Sequence, residues 1–318
     1  SSQIILNVFF IAIMHWGLVG MLLASIIAQL LIAIIFIFKI HIWKYISLKE
    51  IDSNLTKKMI TYSLPLIPNK VSWTIINLSD RIILMNVVGS SATGLYAVSY
   101  KFPNLMDTVY GFFYQSWKES SARVLGDESQ NDFYNSVYKY LKNFMFALVL
   151  GMTAFMPLVF HVLINKSYYN AIYYVPILLM ATYFANISGF YGGVFTAYKD
   201  TKIMGTTTVA AAIINLAINL FLIKWIGIYA AALSTLIANL AVYIYRKRKV
   251  KRYIELNENW KSSGIAIIVA VIIFILFYSE KTSYIIVACC VSVVYALITN
   301  YEILRNIIIQ IKSKQNSK

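Results

Sequence analysis

Charged side chains stand inside two otherwise apolar stretches. Lys70, Asp80 and Arg81 lie in the first, from Ser63 to Gly89, and Lys101 and Asp107 in the second, from Leu95 to Lys118. Ionisable groups at membrane depth bind ions or substrates, or pair with one another. A central Asp, Lys or Arg costs about 2.5 to 3.5 kcal/mol on insertion scales, against a gain of about 0.3 to 0.6 for each Leu, Ile, Phe or Val. Such charges therefore call for a protein-lined, partly wet interior.

Helical spacing sorts these groups into faces. Lys101, Asn104, Thr108, Gly111, Gln115 and Lys118 recur every 3 or 4 residues, with Asp107 at the edge of the stripe. A continuous polar stripe on an apolar helix lines something. In the first stretch Asn69, Trp73, Asn77 and Asp80 share a face. Arg81 is turned about 100° from Asp80, too far for direct pairing, and needs another partner or a ligand. A deep carboxylate that cannot pair with its neighbour is a plausible ion ligand. Asp80, Asn77 and Asp107 are accordingly the candidate coupling site for a sodium ion or a proton. The alternative is a buried ion pair, Arg81 with Asp107 or Asp80 with Lys101.

Other polar groups read two ways. Thr206 to Thr208, Asn215, Asn219, Thr235 and Asn239 supply oxygens that could bind a cation or hold helices together. Pro65, Pro68, Pro103, Pro157 and Pro176 lie in or beside apolar segments and fit either hinges or static kinks. The histidines His15, His41 and His161 fall in separate segments, and GxSxG, Walker and HExxH patterns are absent. Cys289 and Cys290 are adjacent in an apolar run, without metal-ligand spacing. No catalytic set and no cofactor emerge.

The elements that must position these groups are membrane helices. The chain has 318 residues, 59% of them hydrophobic and 13% charged, with a mean hydropathy of +0.68, outside the soluble globular range. Uncharged runs of spanning length occur at 18–38, 144–164, 172–198, 203–223, 225–245, 262–279 and 283–301. With the two charged helices they predict nine spans plus a partial one at Ile4 to Met14. The loops between them alternate in charge: 22 of the 28 Lys and Arg fall on one side, and only Lys166, Lys224 and Lys281 on the other. The positive-inside rule assigns the first side, with the C-terminus, to the cytoplasm. The net charge of +15 thus reads as topology and not as nucleic-acid binding. RKRKVKRY, Arg246 to Tyr253, belongs to that signal, or holds anionic lipid headgroups.

Gly17 to Ala28 (GLVGMLLASIIA) and Gly227 to Ala238 (GIYAAALSTLIA) align at an offset of 210, as in parallel repeats of a two-lobed transporter. The organisation expected is the end of a first lobe at 1–38, an inter-lobe loop at 39–62, a second lobe at 63–245 and a basic loop at 246–261. Two additional helices at 262–304 and a tail at 305–318 complete it. Most of the first lobe would precede Ser1.

Leu64-Pro65, Ser79-Asp80-Arg81, Gly94 to Tyr96 and Tyr100-Lys101 form a pattern that resembles the start of the second lobe in Wzx-type oligosaccharide flippases. These belong to the multidrug/oligosaccharidyl-lipid/polysaccharide exporter superfamily, together with the MATE exporters. GTTTVAAAIINLAINLFLI, Gly205 to Ile223, is similar to that superfamily's Asn-rich eleventh helix. The resemblance implies an all-α membrane protein, a polytopic helix bundle with a MATE-like two-lobed fold, in a bacterial inner membrane. It implies a flippase that moves undecaprenyl-pyrophosphate-linked oligosaccharide to the periplasmic leaflet for a surface polysaccharide such as O-antigen or capsule, and not an enzyme. Partners would be that lipid-linked oligosaccharide, membrane lipids, and polymerase and assembly proteins. For a pyrophosphate headgroup, Arg81, Lys101, Lys70 and Lys118, with Asn104 and Gln115, become the candidate substrate-binding residues, since Arg and Lys offer charge-assisted bonds to phosphate oxygens. A MATE-like cation-coupled drug exporter is the competing expectation.

Overall fold

A computed structural model describes residues 2–45, 47, 52–306 and 309. Among these the regular structure is all helical, and the chain divides into two units, Ser1–Met59 and Ile60–Lys318. The inter-lobe loop expected at 39–62 falls partly outside the described residues.

The first unit holds α1 (Ser2–Asn7), a π-helical turn (Val8–Ile13) and α2 (Gly17–Ile40). Helix α3 (Ser53–Ser63) is polar and exposed except at Tyr62, which is half-buried. The second unit holds α4 (Leu66–Val87), α5 (Ser90–Ser99), α6 (Lys101–Arg123), α7 (Gln130–Leu163), α8 (Val175–Ala197), α9 (Lys202–Ile226), α10 (Ile228–Val250), α11 (Trp260–Tyr278) and α12 (Thr282–Thr299). Among the described residues seven helices are long and apolar enough to cross a membrane, and they contain the greater part of the seven uncharged runs. The charged helices α4 and α6, with 22 and 23 residues, have the length to cross as well.

Helix α8 is the spine of the second unit. Its buried face is nearly continuous, and α6, α7 and α10 pack against it while α9 packs between α4 and α10. Helices α11 and α12 lie on α7. The outer faces of α4, α9, α11 and α12 carry exposed Leu, Ile, Val and Phe, as surfaces facing lipid do.

Three local features differ from the sequence reading. The residues between the two charged stretches, 90–94, are helical and do not form a turn. The turn sits at Val88-Gly89, with Gly89 at φ +113° where only glycine is unstrained, and Ser90 already opens α5. The second charged helix is broken at Tyr100, because Pro103 has no N–H for the Ser99 carbonyl and its ring crowds it. Of the prolines, Pro65, Pro68, Pro103 and Pro176 lie at or within the first turn of helices, where no intrahelical bond is lost; Pro157 alone is interior, in α7.

The repeat has a structural counterpart within each unit. Gly17 and Gly227 both precede or open their helices with positive φ, +53° and +54°. Gly20, Ala24 and Ala28 are the buried residues of α2, and their equivalents Ala230, Ser234 and Ala238 are all buried in α10. The same register of small residues is packed in both copies.

Candidate functional site

Asp80 is 1% exposed. Helix α4 buries Ser72, Ile76, Ser79, Asp80 and Leu84, a stripe that faces α9, so the carboxylate is carried into the packed interior. Three neutral donors meet it there: Tyr96 Oη at 2.8 Å from α5, Asn219 Nδ2 at 2.7 Å from α9 and Thr235 Oγ1 at 2.7 Å from α10. Asn215 extends the cluster, donating through Nδ2 to Ser234 and Thr235 and accepting from Ser79. Hydrogen bonds to a charged acceptor contribute about 1.5 to 3 kcal/mol each, enough to hold a buried carboxylate without a cationic side chain. One acceptor in the cluster is left over, since Asn219 Oδ1 is buried without a partner. A carboxylate beside an orphaned carbonyl oxygen and a hydroxyl is a hard, oxygen-rich set that suits a small cation or a proton.

On the other side of Thr235 lies a cavity of about 290 Å³, walled by α4, α6, α8, α9 and α10. Asn77 and Asp107 line it, and Thr235 places its hydroxyl between it and Asp80. Three buried polar atoms in its lining residues also lack partners: Tyr110 Oη, Asn186 Nδ2 and Asn239 Oδ1. Such a space would hold about ten waters at liquid density.

The same cavity is lined by a residue the sequence reading had assigned to a cytoplasmic loop. Arg246 is 2% exposed. Its Nε donates to Thr207 at 3.0 Å and its terminal nitrogens to the carbonyls of Ser188 and Met204 at 3.2 and 3.3 Å, with Thr208 and Asn69 at 3.4 and 3.5 Å. Every acceptor is neutral. Among the described residues the ion pairs are Arg123 with Glu119, Lys139 with Glu302 and Lys247 with Glu258, so this guanidinium is solvated by dipoles alone. The signal was present in the spacing: Thr235, Asn239, Val242, Arg246 and Val250 continue the buried face of α10 through the basic run.

Comparison with known proteins adds a match to a family model over part of the chain. Residues 2–117 match the family model of polysaccharide biosynthesis proteins. The match includes the motifs from Leu64 to Lys101 on which the resemblance was read, with α4, α5 and most of α6. No curated protein matches the chain. A crystal structure of a MATE mutant is similar with a TM-score of 0.62 and 13% identity, over 79% of this chain and 60% of that one. The lipid II flippase MurJ, in an inward closed conformation, follows with a TM-score of 0.59 and 17% identity, over 96% of this chain and 66% of MurJ. A MOP superfamily transporter from Pyrococcus furiosus gives 0.50 and 14%, over 77% and 64%. The chain thus spans 60% to 66% of the length of these transporters, has their fold and is a multi-pass membrane protein.

The remaining charged and polar residues singled out for substrate binding do not line the cavity. Lys101, Asn104, Thr108, Gln115 and Lys118 lie on the exposed face of α6, as does Asp107 at the cavity's edge, with Lys118 Nζ over the Tyr114 ring at 5.4 Å. Lys70 and Arg81 are exposed on α4, on the same face as Asn77, which accepts from Tyr100 Oη at 3.1 Å. Neither of the considered ion pairs, Arg81 with Asp107 or Asp80 with Lys101, is formed. Asp80 is instead satisfied by neutral donors, and Arg81 points away from the core.

Proposed function

We propose that the protein is a flippase for a lipid-linked oligosaccharide bearing a pyrophosphate, located in a bacterial cytoplasmic membrane with its C-terminus inside and driven by a sodium or proton gradient. The observation that carries this reading is the separation of two kinds of charge on helices within the family match. Basic residues Lys70, Arg81, Lys101 and Lys118 stand on the exposed faces of α4 and α6, while Asp80 is buried among hydrogen-bond donors from α5, α9 and α10. The exposed faces present ammonium and guanidinium groups to an anionic headgroup, for which charge-assisted bonds replace hydration. The buried carboxylate takes the coupling ion, with Asn219, Thr235 and, through the cavity, Asn77 and Asp107 supporting it. Polymerase and assembly proteins would receive the flipped substrate.

An exporter of organic cations is the second reading, favoured by Asp107 in the cavity wall. Deletion of the gene for the full-length protein tests the two. Loss of a surface polysaccharide, with its lipid-linked precursor held in the inner leaflet, supports the flippase. Intact polysaccharide with new sensitivity to cationic drugs supports the exporter.

A further inference from the structure

Helix α11 packs on α12 and α7, and between it and the neighbouring helices α8 and α10 the second unit leaves a slot of about 420 Å³. On α11 the slot is lined by Ser263, Ala266, Ile267, Ala270, Val271 and Phe274, a single helix face. Phe146, Met180 and Phe184 form the opposite wall. From Ser263 to Phe274 that face runs about 16 Å at the rise of an α-helix. This is close to the depth of one leaflet, half of a hydrocarbon core about 30 Å thick.

The slot is basic at one end. Lys142 of α7, half-buried, donates to Ser263 Oγ at 3.0 Å and lies over the Tyr138 ring at 5.8 Å. Lys247 of α10 pairs with Glu258 at 2.7 Å, and Tyr138 donates to the other Glu258 oxygen at 3.1 Å. A second cavity of about 420 Å³ shares Tyr243, Lys247, Glu258 and Trp260 with the slot and adds Arg248 and Lys251. Among the described residues Glu258 is the one acid lining either space, and Lys247 holds it; Lys142, Arg248 and Lys251 form no ion pair. Glu255, close by in sequence, is exposed and lines neither. Trp260 stands exposed at the mouth, with Lys247 Nζ 5.6 Å from its ring, and tryptophan marks the headgroup level of a membrane.

We propose that this slot binds an anionic phospholipid. An acyl chain lies along α11 between Ala266 and Phe274, and the phosphate sits at the mouth among Lys142, Arg248 and Lys251, where charge-assisted bonds replace hydration. The lipid fills the gap between α11 and the wall of α8 and α10, and so ties α11 and α12 to the rest of the unit. The unpaired basic residues favour an anionic over a zwitterionic headgroup. The leaflet-deep slot favours an acyl chain over the much longer polyprenyl chain of a transport substrate. The site shares no lining residue with the cavity beside Asp80 and does not depend on the coupling role of that residue.

Delipidated full-length protein in detergent, titrated with phosphatidylglycerol and with phosphatidylcholine of the same chains and read by native mass spectrometry, tests this. The wild type should prefer phosphatidylglycerol about tenfold or more, since each basic residue near a lipid surface contributes about fivefold. Lys142→Gln and Arg248→Gln should each weaken phosphatidylglycerol by about that single-residue factor, and Glu258→Gln, which frees Lys247, should tighten it. Ala266→Phe, which fills the slot, should weaken both lipids; Ala266→Leu takes its place if that variant does not fold. Lys281→Gln, exposed in the turn between α11 and α12, should change nothing. Equal binding of the two lipids, or phosphatidylglycerol binding unchanged in folded Lys142→Gln and Arg248→Gln, overturns the proposal. So does displacement of phosphatidylglycerol by undecaprenyl pyrophosphate at equal concentration, which would give the slot to the transported substrate.

Discussion

Asn219 donates its amide to Asp80 Oδ1 at 2.7 Å while its own carbonyl oxygen is buried without a donor. The amide is held by the carboxylate at one end and unsatisfied at the other. A cation bound at Asp80 would gain that oxygen as a second ligand once the amide turned over, and would relieve a buried acceptor whose lack of a partner costs about 1 to 3 kcal/mol.

Asp80→Asn and Asn219→Leu should therefore behave alike in transport and differently in stability. Both should lower gradient-driven transport at least tenfold with membrane abundance maintained. Asn219→Leu leaves the Asp80 carboxylate one donor short, so it should also lower the thermal midpoint; Asp80→Asn should lower it less. Vesicle transport with imposed sodium and proton gradients, beside a melting curve, decides. Transport in Asp80→Asn that still responds to the gradients rules out the coupling role.

The basic face offers a graded series. Arg81→Ala should abolish surface-polysaccharide complementation, Arg81→Lys should retain part of it because a point charge replaces a bidentate fork, and Lys101→Ala should fall between. All should be present at normal abundance, since both side chains are exposed and unpaired with Asp107 or Asp80. Reduced abundance on immunoblot for Arg81→Ala, rescued by Asp107→Ala, would restore the ion-pair alternative.

Gly193 admits α6 against α8. A Cβ there would overlap Trp117 Nε1, and that ring is fixed by stacking on Phe190 at 4.4 Å and by its bond to the Phe190 carbonyl at 3.0 Å. Gly193→Ala should destabilise the fold by about 1 to 3 kcal/mol, the usual cost of overpacking. Gly264→Ala, where nothing lies within 4 Å of the added carbon, is the control. Equal melting temperatures for the two variants would contradict the packing described for α6 and α8.

Topology is directly measurable. Reporters fused after Ser90 or Lys166 should read periplasmic, and those after Asp127, Lys199 or Lys249 cytoplasmic, following the unequal placement of basic residues. Burial of Arg246 takes one charge out of the cytoplasmic set and does not reverse it. A cytoplasmic signal after Ser90 would invert the α4 and α5 hairpin.

Length and hydrophobicity alone determined that this is an all-helical membrane chain, where its seven uncharged runs lie, and that α6 carries one polar face, because each is a property of consecutive residues and a 3.6-residue period. The repeat was legible for the same reason: small residues recur where helices must approach closely. The partners of Asp80 were not. Asn219 and Thr235 are 139 and 155 residues away, and whether they bind the carboxylate or merely hold helices together depends on how α9 and α10 are rotated against α4. Arg246 shows the limit most clearly. Its neighbours in sequence are basic and look like a loop signal, but α10 continues one turn further than its apolar run, and the packing of α8 and α9 around that turn closes a guanidinium into the interior. Charge counted along the chain reports the side of a membrane; charge placed by packing decides what the interior can bind.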